Sequence, residues 1–225
     1  HLYEPRPGFR QARSGSAEFV YSLDSNATVK FEILDGAGNV VRTMDVPSRA
    51  GLNKTSWDLR YEGSIQVEFR TIPPDNPEIW NEARWMNQET RPITHWGINS
   101  AKRAGPIAAP GEHGVRMTVN GRSQEQAFEI LKDPAIPSSD DDLRASTAAQ
   151  LRIRDAMDLT ATMINNVEIT RKQIEDLEAE HAGNDDLEAA LAQLDRKILD
   201  VELIMLTETE LHSDDKWFVE AYHTY

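Results

Sequence analysis

The chain has 225 residues, of which 28% are charged, contains no cysteine and carries a formal net charge of −14. Residues 1–137 hold 16 Lys/Arg against 17 Asp/Glu, whereas residues 138–225 hold 8 against 21. This balance argues against binding to nucleic acid or anionic lipid, which needs a basic surface. Without cysteine, disulfides, thiolate metal sites and thiol nucleophiles are excluded. No apolar run approaches the roughly 18 residues that a membrane-spanning helix requires, so membrane insertion is not expected.

The chain opens on "HLYEPRPGFR", which has neither an initiator Met nor the regions of a signal peptide. We interpret residues 1–17 as an extended N-terminal segment. Either a signal was removed before it, or the chain is part of something longer.

Residues 18–133 show the alternation of apolar and polar residues that is typical of strands. "EFVYSL", "TVKFEIL", "VVRTMDV" and "LNKTSWDLR" follow one another with short turns, of which "DGAGN" is a hairpin turn. Two later strands flank Asn120-Gly121, a strong hairpin signal. This pattern predicts an antiparallel Ig-like β-sandwich. We expect its core to contain Phe31, Ile33, Val41, Trp57 and Val119.

The alternation stops between residues 61 and 110, a tryptophan-rich insertion too long for a simple connection in a sandwich. It contains Trp80, Trp85 and Trp96. These rings could form an aromatic platform for a sugar or a protein partner. They could equally cover a sheet edge or pack on the helices, since tryptophan is usually at least partly buried.

Residues 134–225 predict an acidic helical region. After "SSDDD", apolar residues repeat at steps of three and four through Ile153, Met157, Ile164 and Ile174, with Arg171 in the same series. A Gly183 turn leads to a second such helix. We predict a long antiparallel coiled-coil hairpin, followed by the start of a third helix at "SDDKW". The residues left for an assembly surface are Leu199, Leu203, Leu206 and Trp217.

A search for catalytic or metal-binding motifs finds none. His95, His113 and His212 are isolated in sequence, and no spacing of metal ligands appears. Glu112 with Glu125, or Asp58 with Glu62, could form a glycosidase-like carboxylate pair, but carboxylates are abundant enough for such pairs to arise by chance. No nucleotide or cofactor motif is present, so we expect neither a cofactor nor a metal.

Three motifs carry a resemblance to a known module. The hairpin "ILDGAGNVV", the stretch "AGLNKTSWD" and the segment "PGEHGVR" resemble the Ig-like module of the flagellar hook-capping protein, with His113 at the usual tyrosine position. The order of parts over residues 18–60 and 105–220 resembles the C-terminal region of secreted bacterial proteins. Those proteins carry sortilin-like or BNR-repeat β-propellers and are often labelled glycosyl hydrolase-like. The resemblance implies export to the periplasm or cell surface.

Three hypotheses about function follow. The first is a non-catalytic accessory module of a secreted propeller protein, which docks a protein partner or self-associates. The second is a carbohydrate-binding module that uses Trp80, Trp85 and Trp96. The third, and the weakest, is a glycoside hydrolase that uses an acidic pair.

Overall fold

The computed structural model describes residues 1–12, 14–73, 76–93 and 104–206. In chain order the elements are β1 (Gly8–Arg10), β2 (Gly15–Leu23), β3 (Ala27–Leu34), β4 (Val40–Ser48), β5 (Gly51–Trp57), β6 (Glu68–Phe69), a 3₁₀ turn (Ile79–Asn81), β7 (Arg91–Pro92), β8 (Gly111–Val119), β9 (Arg122–Lys132), α1 (Asp140–Glu180) and α2 (Asp185–Glu202). The chain divides into two compact units. The first unit comprises His1–Gly63 and Ala104–Arg154, and the second comprises Ser64–Arg103 and Asp155–Tyr225.

The first unit is built on one curled, mixed sheet of seven strands in the order β4-β3-β8-β9-β1-β2-β5. Its hairpins have the predicted turn chemistry. The Asp35 carboxylate accepts the backbone N–H groups of Ala37 and Asn39, each at 2.9 Å. Asn120 and Gly121 adopt positive φ angles of 48° and 76°, as a tight two-residue turn requires.

The core of the first unit lies on the inner face of the curled sheet. Phe31, Ile33, Val41 and Trp57 are buried there as predicted, and Val119 packs against them partly buried. The Trp57 ring meets the ring of Phe128 edge to face, with centroids 6.4 Å apart. Its indole N–H donates to the Arg60 carbonyl at 2.8 Å, so the buried polar atom is satisfied.

The prediction of an Ig-like β-sandwich is wrong, because the seven strands of the first unit form one curled sheet and not two packed sheets. The predicted extended segment contains β1, which pairs in parallel with β9 and antiparallel with β2. These three residues join strands that would otherwise end separate sheets. Close approach is possible because Gly15 lacks a Cβ, which would lie 2.6 Å from the Phe9 carbonyl oxygen. An alternating strand pattern demands one buried face, and a curled sheet satisfies it as well as a sandwich does.

The second unit has short strands and long helices. β6 and β7 form a two-stranded antiparallel sheet, and α1 contributes residues 155–180 to this unit. Its apolar core is small. It consists of Val67, Phe69, Ala161, Ile164 and Leu206, with Ile93, Leu199, Leu203 and Met205 packed around it.

The prediction of a long coiled-coil hairpin is also wrong. α2 has 18 residues against 41 in α1, so it is too short to cover its length. Ile153 and Met157, at the start of the predicted seam, are 62% and 51% exposed. Further along, the seam buries charged Arg171 beside Ile164 and Ile174, and it packs partly on β6 and its flanks. The predicted third helix lies outside the described residues.

Neither of the helices in the described part of the chain is long and apolar enough to cross a membrane.

Candidate functional site

Residues 65–72 are fastened to α1 by hydrogen bonds from their backbone N–H groups to helix side chains. The acceptors are Asp158, Asn165, Glu168 and Glu175. Their spacing of seven, three and seven residues places them on one side of the helix. Asn165 binds the segment twice, accepting from Glu68 N–H at 2.8 Å and donating to the Gln66 carbonyl at 2.8 Å. An extended segment that forms few strand pairs thereby satisfies its backbone groups.

Glu168 is the most enclosed of these acceptors, with no exposed surface. Its carboxylate accepts the backbone N–H of Thr71 at 2.9 Å and the Thr71 hydroxyl at 2.7 Å. It also accepts the backbone N–H of Arg70. Three donors around one carboxylate stabilise its negative charge away from water.

Arg171 connects this carboxylate to α2. Its Nη1 donates to Glu202 Oε2 at 2.9 Å and to the Thr71 hydroxyl at 3.1 Å, while its Nε donates to Asp195 at 2.8 Å. Burial would lower the pKa of Arg171, but the hydrogen bonds and charges of Asp195 and Glu202 outweigh it and raise the pKa. The guanidinium is therefore a permanent cation in the interior of the unit.

Glu202 completes what we call the buried cluster: Thr71, Glu168, Arg171, Asp195 and Glu202. Its side chain has no exposed surface. Burial, together with the nearby charge of Glu168, raises the pKa of Glu202 to about 8. Sequence reasoning missed this cluster because Glu168 and Glu202 have the polarity of surface residues. The one available signal was Arg171, a cation in an apolar series.

A second surface of α1 has an uncharged, exposed stripe with coiled-coil spacing. It consists of Ala156, Leu159, Met163, Asn166, Thr170, Gln173 and Leu177, all exposed. The steps alternate between three and four residues, as in a helix seam that packs on another helix. Leu159 is 63% exposed, and Met163 and Leu177 exceed 40%. We call these seven residues the uncharged stripe.

The predicted tryptophan platform is only partly within the described residues. Trp80 and Trp85 are half-buried, and Trp96 lies outside. The guanidinium of Arg91 lies 5.4 Å from the Trp80 ring centroid, and that of Arg84 lies 5.2 Å from the Trp85 ring centroid. The Trp80 N–H donates to the Thr71 carbonyl at 3.2 Å. Sugar binding by these rings stays a prediction.

The residues predicted for an assembly surface lie at the end of α2. Leu206 is 6% exposed and belongs to the apolar core of the second unit, while Leu199 and Leu203 pack against that core, partly buried. Trp217 lies outside the described residues. Contacts of these leucines with another chain stay a prediction.

The first unit has an open cavity of about 540 Å³ whose lining includes Asp35, Glu112, His113, Glu125 and Glu129. The Asp35 carboxylate accepts the backbone N–H of Asn39 in its own turn. Glu125 forms an ion pair with Arg116 at 3.1 Å. Burial lowers the pKa of His113, whose Nδ1 lies 3.1 Å from the Gly111 carbonyl oxygen.

Asp58 and Glu62, which were considered for catalysis, have structural partners in the first unit. Glu62 forms an ion pair with Arg42 at 3.0 Å and accepts the backbone N–H of Thr43 at 3.0 Å. Asp58 accepts the backbone N–H of Arg60 at 3.1 Å. Within the described residues, no group of three or more His, Asp or Glu side chains could hold a metal ion.

Comparison with known proteins does not assign the chain to a family. No protein-family model matches it, and no curated protein is significantly similar to it.

Proposed function

We propose that this chain is a non-catalytic docking module that binds an amphipathic helix of another protein along the uncharged stripe of α1. The observation that carries the proposal is the stripe itself, seven exposed positions with the three–four spacing of helix packing. Its four apolar members cost free energy while they face water and gain it when an apolar seam of a partner covers them.

Charge supports the choice of partner. The helical residues 155–206 carry 13 Asp/Glu against four Lys/Arg, and none of these charges lies in the stripe. A second copy of this acidic surface would be repelled, whereas Lys and Arg beside the partner's seam would be attracted. The partner is therefore a helix with Leu, Ile or Val on one face and basic residues beside it.

A synthetic peptide of four heptads is the probe, with Leu at the two seam positions and Lys at the flanking positions. A second peptide with Glu at the flanks serves as its control. Fluorescence anisotropy measures the affinity of each peptide for the whole chain. We expect the Lys peptide to bind and the Glu peptide to fail.

Two variants test whether binding uses the stripe. Leu159→Glu places a charge in the stripe and removes a contact that the complex would bury. The affinity for the Lys peptide should therefore fall by about tenfold or more. Ile153→Glu is the matched control, because Ile153 is an equally exposed apolar residue of α1 outside the stripe. Both variants add one negative charge. If the basic peptide were attracted only by acidic residues in general, the two variants would bind it with the same affinity.

Equal binding by the two peptides, or equal binding by Leu159→Glu and the native chain, would contradict the proposal. Light scattering at several protein concentrations measures the mass of the assembly and thereby tests for self-association. A dimer that Leu159→Glu abolishes would replace the basic partner with a second copy of the chain.

From the resemblance of the hairpin motifs alone, we further propose that the module belongs to an exported bacterial protein. Fractionation of cells that produce the native protein tests this, and recovery only with the cytoplasm would contradict it.

A further inference from the structure

Two fully buried carboxyl groups of the second unit share one guanidinium. Arg171 Nη1 lies 2.9 Å from Glu202 Oε2 and 3.5 Å from Glu168 Oε1. The same guanidinium also binds Asp195 through its Nε. If all three carboxyl groups were ionised, one cation would face three anions, two of them without exposed surface. Such an excess of buried charge is costly, because water does not screen it.

One atom of the cluster indicates how this excess is avoided. Glu202 Oε1 is buried and has no hydrogen-bond partner among the described residues. Glu168 on α1 and Glu202 on α2 are both acceptors when ionised, so neither could donate to the other. A proton on Glu202 would supply the missing donor and remove one negative charge.

We propose that Glu202 keeps a proton at neutral pH and donates it to Glu168, so that the C-terminal end of α2 is fastened to α1 only while the proton is present. Glu168 is the acceptor of the pair, because its carboxylate already accepts three other hydrogen bonds. This inference is independent of the docking function, since none of its residues belongs to the uncharged stripe.

The charged surroundings favour this assignment. Among the described residues, the charged side chains that act on the two carboxyl groups are Arg171 of α1 and, for Glu168, Arg91 of β7, whereas Arg70 contributes only its backbone N–H. Asp195 of α2 and Glu175 of α1 act on Arg171, and Lys172 acts on Glu175. Asp195 accepts a hydrogen bond from Arg171. Glu175 accepts hydrogen bonds from Lys172 and from the backbone N–H of Ile72. Arg91 stacks on Phe69 and Trp80, where burial lowers its pKa to about 10.

The direction of the pH effect follows from the raised pKa of Glu202, about 8 against an ordinary 4.5. The fastened state binds the proton more tightly than the open state, so opening releases it. The opening equilibrium constant should rise about tenfold per pH unit above the ordinary value and level off close to the raised one. A rise in pH from about 4.5 towards about 8, and not acidification, therefore loosens this end of α2.

Hydrogen exchange read at single amides tests the proposal on the whole chain. The reporters are the N–H groups of Leu203 and Leu206, which donate to the carbonyls of Leu199 at 2.9 Å and Glu202 at 3.0 Å. Their protection factors, corrected for the intrinsic pH dependence of exchange, are compared between pH 5 and 9 with those of β8.

Two variants decide the outcome. Glu202→Gln imitates the protonated carboxyl, and its protection at Leu203 and Leu206 should not change with pH. Asp200→Asn is the matched control on the exposed side of α2, and it should lose protection as the native chain does. The proposal is overturned if the native chain keeps its protection up to pH 9, or if Glu202→Gln loses it in parallel. Should Glu202→Gln not fold, ¹³C NMR of the native Glu202 carboxyl replaces it, and a midpoint below pH 6 overturns the proposal.

Discussion

The first unit buries sixteen hydrophobic residues in one core, whereas the described part of the second unit assembles a core of five. The first unit buries Arg10 and His113 among its polar residues, but the second buries Arg91, Glu168, Arg171 and Glu202. Of the sixteen exposed large hydrophobic residues in the described chain, eleven belong to the second unit. The first unit covers its apolar surface with its own sheet. The second buries several charged side chains and leaves more of its apolar side chains exposed.

The largest effect is expected in the core of the first unit. Trp57→Ala removes a 1% exposed ring that packs on His113 and Phe128, and should lower the free energy of unfolding by about 4 kcal/mol. Urea unfolding with exchange at β8 measures this. Leu52→Ala, at a 73% exposed position, is the control and should cost less than about 0.5 kcal/mol. Similar losses in both variants would mean that Trp57 is not a core residue.

The buried cluster should be almost as sensitive, although it contains little apolar surface. Arg171→Met leaves Glu168 and Glu202 without their cation and should destabilise the second unit by about 3 kcal/mol. Arg196→Met, at an exposed position of α2, serves as the control. Exchange at α2 measures the loss. If the two variants behaved alike, the cluster would contribute nothing to stability.

The two units should respond to pH in opposite directions. The pKa of His113 is lowered by burial, so its contribution to the first unit is present above the ordinary value of 6.5 and is lost as pH falls. The pKa of Glu202 is raised, so its contribution to the second unit is present below 4.5 and is lost as pH rises towards about 8. Exchange at β8 and α2 across pH 5 to 9 compares them. Parallel profiles would contradict this assignment.

A smaller effect is expected where Asn165 of α1 binds residues 65–72. Asn165→Ala removes the acceptor for Glu68 N–H and the donor to the Gln66 carbonyl, at a cost of about 1 to 2 kcal/mol. The neighbouring Asn166 is exposed, and Asn166→Ala should be close to neutral in thermal unfolding. Equal melting temperatures for the two variants would show that the segment is held by other contacts.

The smallest effect on stability belongs to the uncharged stripe. Leu159→Glu changes a 63% exposed residue and should alter the free energy of unfolding by no more than about 0.5 kcal/mol. Chemical denaturation measures this beside the binding assay. A large loss of stability would place Leu159 in the packing of the unit and remove it from the docking surface.

Local chemistry predicted much of the first unit and the course of the helices. Alternation located β2 to β5 and both strands beside Asn120-Gly121, because one buried face imposes a period of two on any strand. Turn residues located the hairpins, since their φ angles are a local requirement. The two helices followed from three–four spacing and from Gly183, which has a positive φ of 95°.

Only the tertiary structure decided how these parts combine. β1 pairs with β9 across about 120 residues of sequence, and that pairing makes one curled sheet where a sandwich was expected. Glu168 and Glu202 carry the polarity of solvent-facing residues, yet both are buried, because backbone N–H groups and Arg171 reach them from distant segments. A hydrophobic period reports which side of an element avoids water. It contains no information on which distant element covers that side, and that pairing also determines which charges become buried.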